Sequence, residues 1–180
     1  YHMIKAQTVI ILVNYNGYQY TLECIQSIKA SQGELPFIVL VDNNSRNSKE
    51  LDCLKNDNNK LYIIYNEKNE GFGVANNIGI KWAQEHIDFE YLLLLNNDTL
   101  IEPNSIEELI RPFSMDQTIG ITTAKTFYED NKNIIWYGGG EIDYNRAWPK
   151  ITDFNNLPSL NGANKSKYVS FASGCTMMFS

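Results

Sequence analysis

Short apolar runs alternate along this chain with stretches of helical period. The first run, TVIILVNYNG (8–17), is rich in β-branched residues and reads as a buried strand that breaks at Asn14, Asn16 and Gly17. Leu22, Ile25 and Ile28 then recur at spacings of three, which predicts a helix over 20–30. PFIVLVDNNS (36–45) is a second strand that also ends in Asp and Asn, and Leu51 with Leu54 mark a short helix. LYIIYNE (61–67) is a third strand.

GFGVANNIGIKWAQEH (71–86) opens on glycines and continues as a helix with an apolar face of Ala75, Ile78, Gly79, Trp82, Ala83 and His86. Residues 90–95 form the fourth strand, running into Asn96, Asn97 and Asp98. Asn104 or Ser105 caps the next helix, with Ser105 and Glu108 in capping-box spacing after Pro103. IGITTAKTFY (119–128) reads as another strand. Strand and helix in this rhythm predict an α/β fold, a mostly parallel sheet with helices on both faces. After Glu129 the pattern turns to glycine, aromatic and asparagine, a loop-rich part closed by the apolar run YVSFASGCTMMFS (168–180).

A net charge of −6 over 180 residues, with no basic stripe, argues against nucleic-acid binding. No segment approaches the roughly 18 unbroken apolar residues of a membrane span. Cys24, Cys53 and Cys175 are widely spaced and lack CxxC pairing, so neither a disulfide framework nor a zinc site is indicated, and a reducing cytosol is the simplest setting. Residues 1–3 read as a cloning remnant.

In open α/β sheets ligands bind outside the carboxyl ends of the strands. Three predicted strands finish in amides or carboxylates, at Asn14–Asn16, Asp42–Asn44 and Asn96–Asp98, and the third runs into Asn66 and Glu67. Turn formation explains any single one of these endings, but less readily the whole set. Asp42 can accept from the imide N–H of a pyrimidine or from ribose hydroxyls, and cannot accept from a phosphate. Gly71 and Gly73 let backbone approach a ligand, while Asn76 and Asn77 offer amide groups at a helix start, although the G-x-G-x-x-G spacing of a dinucleotide site is absent. Asp98, rigidly placed and partly desolvated after four leucines, calls for a cation, and Mg2+ or Mn2+ bridging to a diphosphate meets that need.

Taken together, VIILVNYNG, IVLVDNNS, NEGFGVANNIGI and YLLLLNNDTLIEP resemble the inverting family 2 glycosyltransferases of GT-A fold, in the rhamnosyltransferase-like branch. The resemblance implies a donor-binding core over 4–128 and an acceptor-side part over 129–180. It places Asn14, Tyr15 and Asn16 at the nucleotide, Asp42 with Asn43 at the pyrimidine base, and Gly71, Phe72, Gly73 and Asn76 under the nucleotide-sugar. Asn96-Asn97-Asp98 occupies the D-x-D position, with Asn97 at the donor and Asp98 as metal ligand. Asn96 replaces the first Asp, which weakens the case for metal dependence.

In that branch the catalytic base lies in an acidic Glu-Asp motif after a Gly-Ala/Cys-Met segment. SGCTMMFS resembles that segment, so the base is expected beyond Ser180, with Glu141 and Asp143 as the loop carboxylates available in its place. The implied reaction transfers a sugar from dTDP-rhamnose or a UDP-sugar to a glycan or lipid-linked acceptor, in polysaccharide assembly at the cytoplasmic face of a membrane. A non-catalytic sugar-nucleotide-binding module is the alternative, and a sugar nucleotidyltransferase a third. VNYNGYQYT lacks the cations a triphosphate-binding loop needs. Trp136, Tyr137, Tyr144 and Trp148 could stack on an acceptor sugar or simply anchor loops.

Overall fold

The computed structural model describes residues 3–55, 60–157 and 166–180. In chain order the first elements are β1 (Ile4–Lys5), β2 (Thr8–Asn14), α1 (Tyr18–Lys29), β3 (Phe37–Asp42), a 3-10 helix (Ser48–Lys55) and β4 (Leu61–Tyr65). Next come α2 (Phe72–His86), β5 (Ile87–Asp88), β6 (Tyr91–Leu95) and α3 (Ser105–Met115). The remainder carries β7 (Ile121–Thr122), β8 (Thr126–Phe127), β9 (Ile135–Tyr137), β10 (Gly140–Asp143), β11 (Trp148–Ile151) and β12 (Thr176–Phe179). Residues 1 and 2 of the expected cloning remnant, and 158–165 of the loop-rich part, lie outside the described residues.

A six-stranded sheet in the order β4-β3-β2-β6-β12-β7 forms the centre. β4, β3, β2 and β6 run parallel, whereas β12 is antiparallel to both β6 and β7. The last apolar run of the chain therefore inserts between two strands that precede it by many residues. Small pairs flank the sheet: β1 with β5, β8 with β9, and the β10–β11 hairpin.

Strand period 2 divides the core by parity. Ile10, Leu12, Ile38, Leu40, Leu93 and Leu95 pack with Ile25, Ile28, Leu51, Leu54, Ile106, Leu109 and Phe113, so α1, the 3-10 helix and α3 cover one face. Val9, Ile11, Phe37 and Val39 pack with Ala83 of α2 on the other, and Val13 and Val41 pack with Ala75. Helix α2 comes close because it presents Gly79. A Cβ there would sit 2.7 Å from Ile11 Cγ2 and 3.1 Å from Val41 Cγ2. β2 and β3 are buried along their whole length, which is why they read as unbroken apolar runs.

Several secondary-structure expectations are corrected by the structure. The 119–128 strand is two short ones, β7 and β8, which join different sheets. No capping box forms: Asn104 is the N-cap residue of α3 without a side-chain cap bond, and Glu108 pairs with Arg111 instead. His86 is exposed rather than on the buried face of α2, and its ring stacks on Trp82 at 4.5 Å. The third strand stops at Tyr65.

Candidate functional site

Parallel register brings the strand ends together. Asn14 stands opposite Asp42, and Asp42 opposite Tyr65, so the segments leaving β2, β3 and β4 emerge side by side. β6 runs parallel to β2 and delivers Asn96–Asp98 to the same edge. Two strand-end asparagines serve the turns themselves: Asn16 and Asn44 take left-handed φ values of 55 and 67°, which Asn tolerates better than most residues.

Asn14 is the hub of a buried polar network. Its Nδ2 donates to Asp42 Oδ1 at 2.7 Å and to Ser45 Oγ at 3.0 Å. Its Oδ1 accepts from the Gly17 N–H at 3.1 Å and from Thr21 Oγ1 at 3.0 Å. The Asp42 carboxylate also accepts from Ser45 Oγ at 2.6 Å and from the Ser45 N–H at 3.0 Å. Asn14 and Asp42 are each 1% exposed, so both side chains act inward, shaping the loops above them. Above, Asn16 accepts from the Arg46 N–H at 2.9 Å while its own N–H donates to Ser45 Oγ at 2.8 Å. Asn14, Asn16, Tyr18, Ser45, Arg46 and Asn47 line a cleft of about 400 Å³. That space is of ligand size.

Asn43 organises the neighbouring loop. Its Nδ2 donates to Asn69 Oδ1 at 2.8 Å, and its Oδ1 accepts from Asn66 Nδ2 at 3.1 Å and from the Glu70 N–H at 3.0 Å. This holds the segment that enters α2 through Gly71, whose φ of 78° favours glycine. Gly71, Phe72 and Gly73 are exposed, and nothing lies within 4 Å of where a Cβ would stand on either glycine. Asn76 is placed otherwise than a donor contact at a helix start would be: it is 4% exposed and its Nδ2 donates back to Phe72 O at 2.9 Å. Tyr15 is exposed.

At the β6 end, Asn97 Nδ2 donates to Thr21 Oγ1 at 2.9 Å, tying this loop to α1. Asp98 is exposed, which corrects the expectation of a desolvated carboxylate. Asn96 Oδ1 is buried and has no hydrogen-bond partner. Burial pushes the Cys24 thiol up to about 12, and the charge of nearby Asp98 and then Cys175 add to the shift. Burial likewise raises the Cys175 thiol, whose sulfur lies 3.1 Å from Thr99 Oγ1.

Among the described residues no group of three or more His, Cys, Asp or Glu converges as a metal cage. The exposed Asp98 carboxylate and the orphaned Asn96 carbonyl, two positions apart, are hard oxygen donors of the type a divalent cation such as Mg2+ takes. Glu141 is exposed on β10, and Asp143 accepts from the N–H groups of Asn145 and Arg146 in its own turn. Of the aromatic residues beyond β8, Tyr137 is buried with its hydroxyl on Phe171 O, whereas Tyr144 and Trp148 are exposed.

Sequence reasoning missed Thr21 and gave Ser45 no role. Ser45 stands in the DNNS segment and was open to notice, but Thr21 carries no local signal, because its partners lie 7 and 76 positions away.

Among known proteins, the chain is 25% identical over 135 residues to the glycosyltransferase GlyG of Streptococcus pneumoniae, covering 73% of this chain and 44% of GlyG. Two solved structures share its fold. S. aureus TarS 1–349 in complex with UDP-GlcNAc superposes with a TM-score of 0.59 at 19% identity, covering 74% of this chain and 39% of that one. The mannosyltransferase PcManGT from Pyrobaculum calidifontis, in complex with GDP-Man and Mn2+, superposes with a TM-score of 0.57 at 17% identity, covering 68% and 36%. The chain thus spans less than half the length of each, and its α/β sheet has the architecture of GT-A glycosyltransferases. The family model for Glycosyl transferase family 2 matches residues 9–180, and the chain belongs to that family.

Proposed function

We propose that residues 4–128 form the donor site of an inverting glycosyltransferase that takes a pyrimidine nucleotide-sugar, dTDP-rhamnose or a UDP-sugar. The observation that carries this reading is the junction of two chemically distinct regions at one sheet edge. A buried amide and carboxylate network around Asn14 and Asp42 shapes the loop edge, and the exposed Asp98 carboxylate stands beyond Asn97.

In this reading the nucleoside lies against the loops that Asp42, Asn43 and Ser45 hold, with Tyr15 and Asn16 at its rim. Asp42 acts mainly by orienting those loops, since its oxygens already accept three hydrogen bonds. Gly71 and Gly73 leave room for the sugar diphosphate beside α2. Asp98, with Asn96 beside it, would hold Mg2+ or Mn2+, and the bound cation would neutralise charge on the departing diphosphate. Inversion needs a base on the acceptor hydroxyl. The resemblance to the rhamnosyltransferase-like branch puts such a base in an acidic Glu-Asp motif after a Gly-Ala/Cys-Met segment, Glu141 and Asp143 are the loop carboxylates of this chain that could stand in its place, and residues 129–180 are read as the acceptor side. The complexes of TarS with UDP-GlcNAc and of PcManGT with GDP-Man and Mn2+ support a nucleotide-sugar donor, the first with a pyrimidine base and the second with a purine.

Calorimetric titration with UDP and dTDP, with and without Mn2+, tests it. Binding of either nucleotide that strengthens with Mn2+ is the expected result, and absence of binding by both overturns it. Pyrophosphate release from a sugar 1-phosphate and a nucleoside triphosphate would instead mark a nucleotidyltransferase.

A further inference from the structure

We propose that Thr21 is a positioning residue that ties the metal end of the donor site to its nucleoside end, an inference that rests on the donor-site reading above. Thr21 lies in the first turn of α1 and is 0% exposed. A hydroxyl has one proton to give and lone pairs to accept with. Thr21 uses both, donating to Asn14 Oδ1 at 3.0 Å and accepting from Asn97 Nδ2 at 2.9 Å.

Both partners depend on it. The Asn14 amide is otherwise committed to Asp42, Ser45 and the Gly17 N–H. Asn97 reaches Asn14 directly only through a long contact of 3.4 Å. The rest of the 96–99 turn is anchored at its two ends, by the Asn96 N–H on Cys175 O at 2.9 Å and by Thr99 Oγ1 beside Cys175 Sγ. Asn97 is thus the middle tether, one residue before Asp98. Without the Thr21 hydroxyl, Asn97 Nδ2 and Asn14 Oδ1 face an apolar methyl where each had a partner, and the turn carrying Asp98 is released from the Asn14 network.

The test compares Thr21→Val, which keeps shape and removes the hydroxyl, with Thr21→Ser, which keeps it. In the ligand-free protein, hydrogen exchange over 95–100 should quicken about tenfold in Thr21→Val and stay near wild type in Thr21→Ser. Titrated with UDP, Thr21→Val should lose most of the gain in affinity that Mn2+ brings, a larger loss than it shows for uridine, and Thr21→Ser behaves as wild type. Equal exchange in all three proteins overturns the tether. Equal weakening of uridine and UDP overturns its link to the metal end. If wild type binds neither nucleotide the donor-site reading fails, and if it binds UDP with no gain from Mn2+ the metal part of that reading fails; in both cases the exchange comparison still decides the role of Thr21. Should Thr21→Val fail to fold, Asn97→Ala cuts the same tether from the half-buried side and is scored in the same way.

Discussion

Asn14 Nδ2 donates to Asp42 Oδ1 across 2.7 Å, and the two residues, paired in register on β2 and β3, are each 1% exposed. This contact joins the two central strands at the edge where the candidate site lies. Asn14→Ala removes the hub and leaves Thr21, Gly17 and Asp42 short of partners in a dry region, so a loss of about 1–3 kcal/mol in chemical denaturation is expected. Nucleotide affinity should fall as well, because the 43–45 loop loses its anchor.

Asp98 presents the opposite case. Its carboxylate is exposed, and Asp98→Ala should leave unfolding within about 0.5 kcal/mol of wild type. UDP affinity measured in Mn2+ should drop about tenfold or more, with no change in metal-free buffer. Equal affinities in Mn2+ would remove Asp98 from the metal.

Asn96→Asp restores a second carboxylate where Asn96 Oδ1 is buried without a partner. An ionised group placed there lacks compensation, so a cost of about 3–5 kcal/mol is expected without metal. Added Mn2+ should recover part of it, read as a larger metal-induced rise in melting temperature than wild type shows.

The glycines of α2 separate stability from binding. Gly79→Ala drives a methyl to 2.7 Å from Ile11 Cγ2 in a filled core, and a loss of about 1–3 kcal/mol is expected. Gly73→Ala meets nothing within 4 Å and lies in a helix, so it should raise stability by about 0.5 kcal/mol. If the diphosphate passes over this turn, the more stable Gly73→Ala protein should bind UDP more weakly.

The cysteines should react in order of access. Cys53 is exposed and should alkylate first, followed by Cys175, with Cys24 protected until unfolding. The Cys24 thiol is raised from 9.0 to about 12 in the folded chain, so the native state holds its proton more tightly than the unfolded one. This contribution to stability is complete below pH 9 and is lost as pH rises towards 12. Cys24→Val, which removes the thiol and keeps an apolar side chain, should therefore flatten the alkaline limb of the stability profile.

Much of the architecture was legible along the chain. The stretches VIILV (9–13) and FIVLV (37–41) are apolar at every position because both faces of the parallel strands are covered, and the stripe of Leu22, Ile25 and Ile28 marks the covering helix. These are local periodicities, and burial follows them. Strand order then carries Asn14, Asp42 and Asn96–Asp98 to one edge, which parallel direction alone implies.

Tertiary structure decided what each polar atom does there. Whether a strand-end side chain faces ligand or protein depends on partners far away in sequence: 28 positions for Asn14 with Asp42, 76 for Thr21 with Asn97. So Asn14, Asp42 and Asn76 turned inward, Asp98 stayed in water, and Thr21 emerged as a link with no sequence signal of its own. The same holds for β12, whose place between β6 and β7 follows from filling the sheet rather than from its position in the chain. Hydrophobic period is a property of neighbours in sequence, whereas hydrogen-bond satisfaction is a property of neighbours in space.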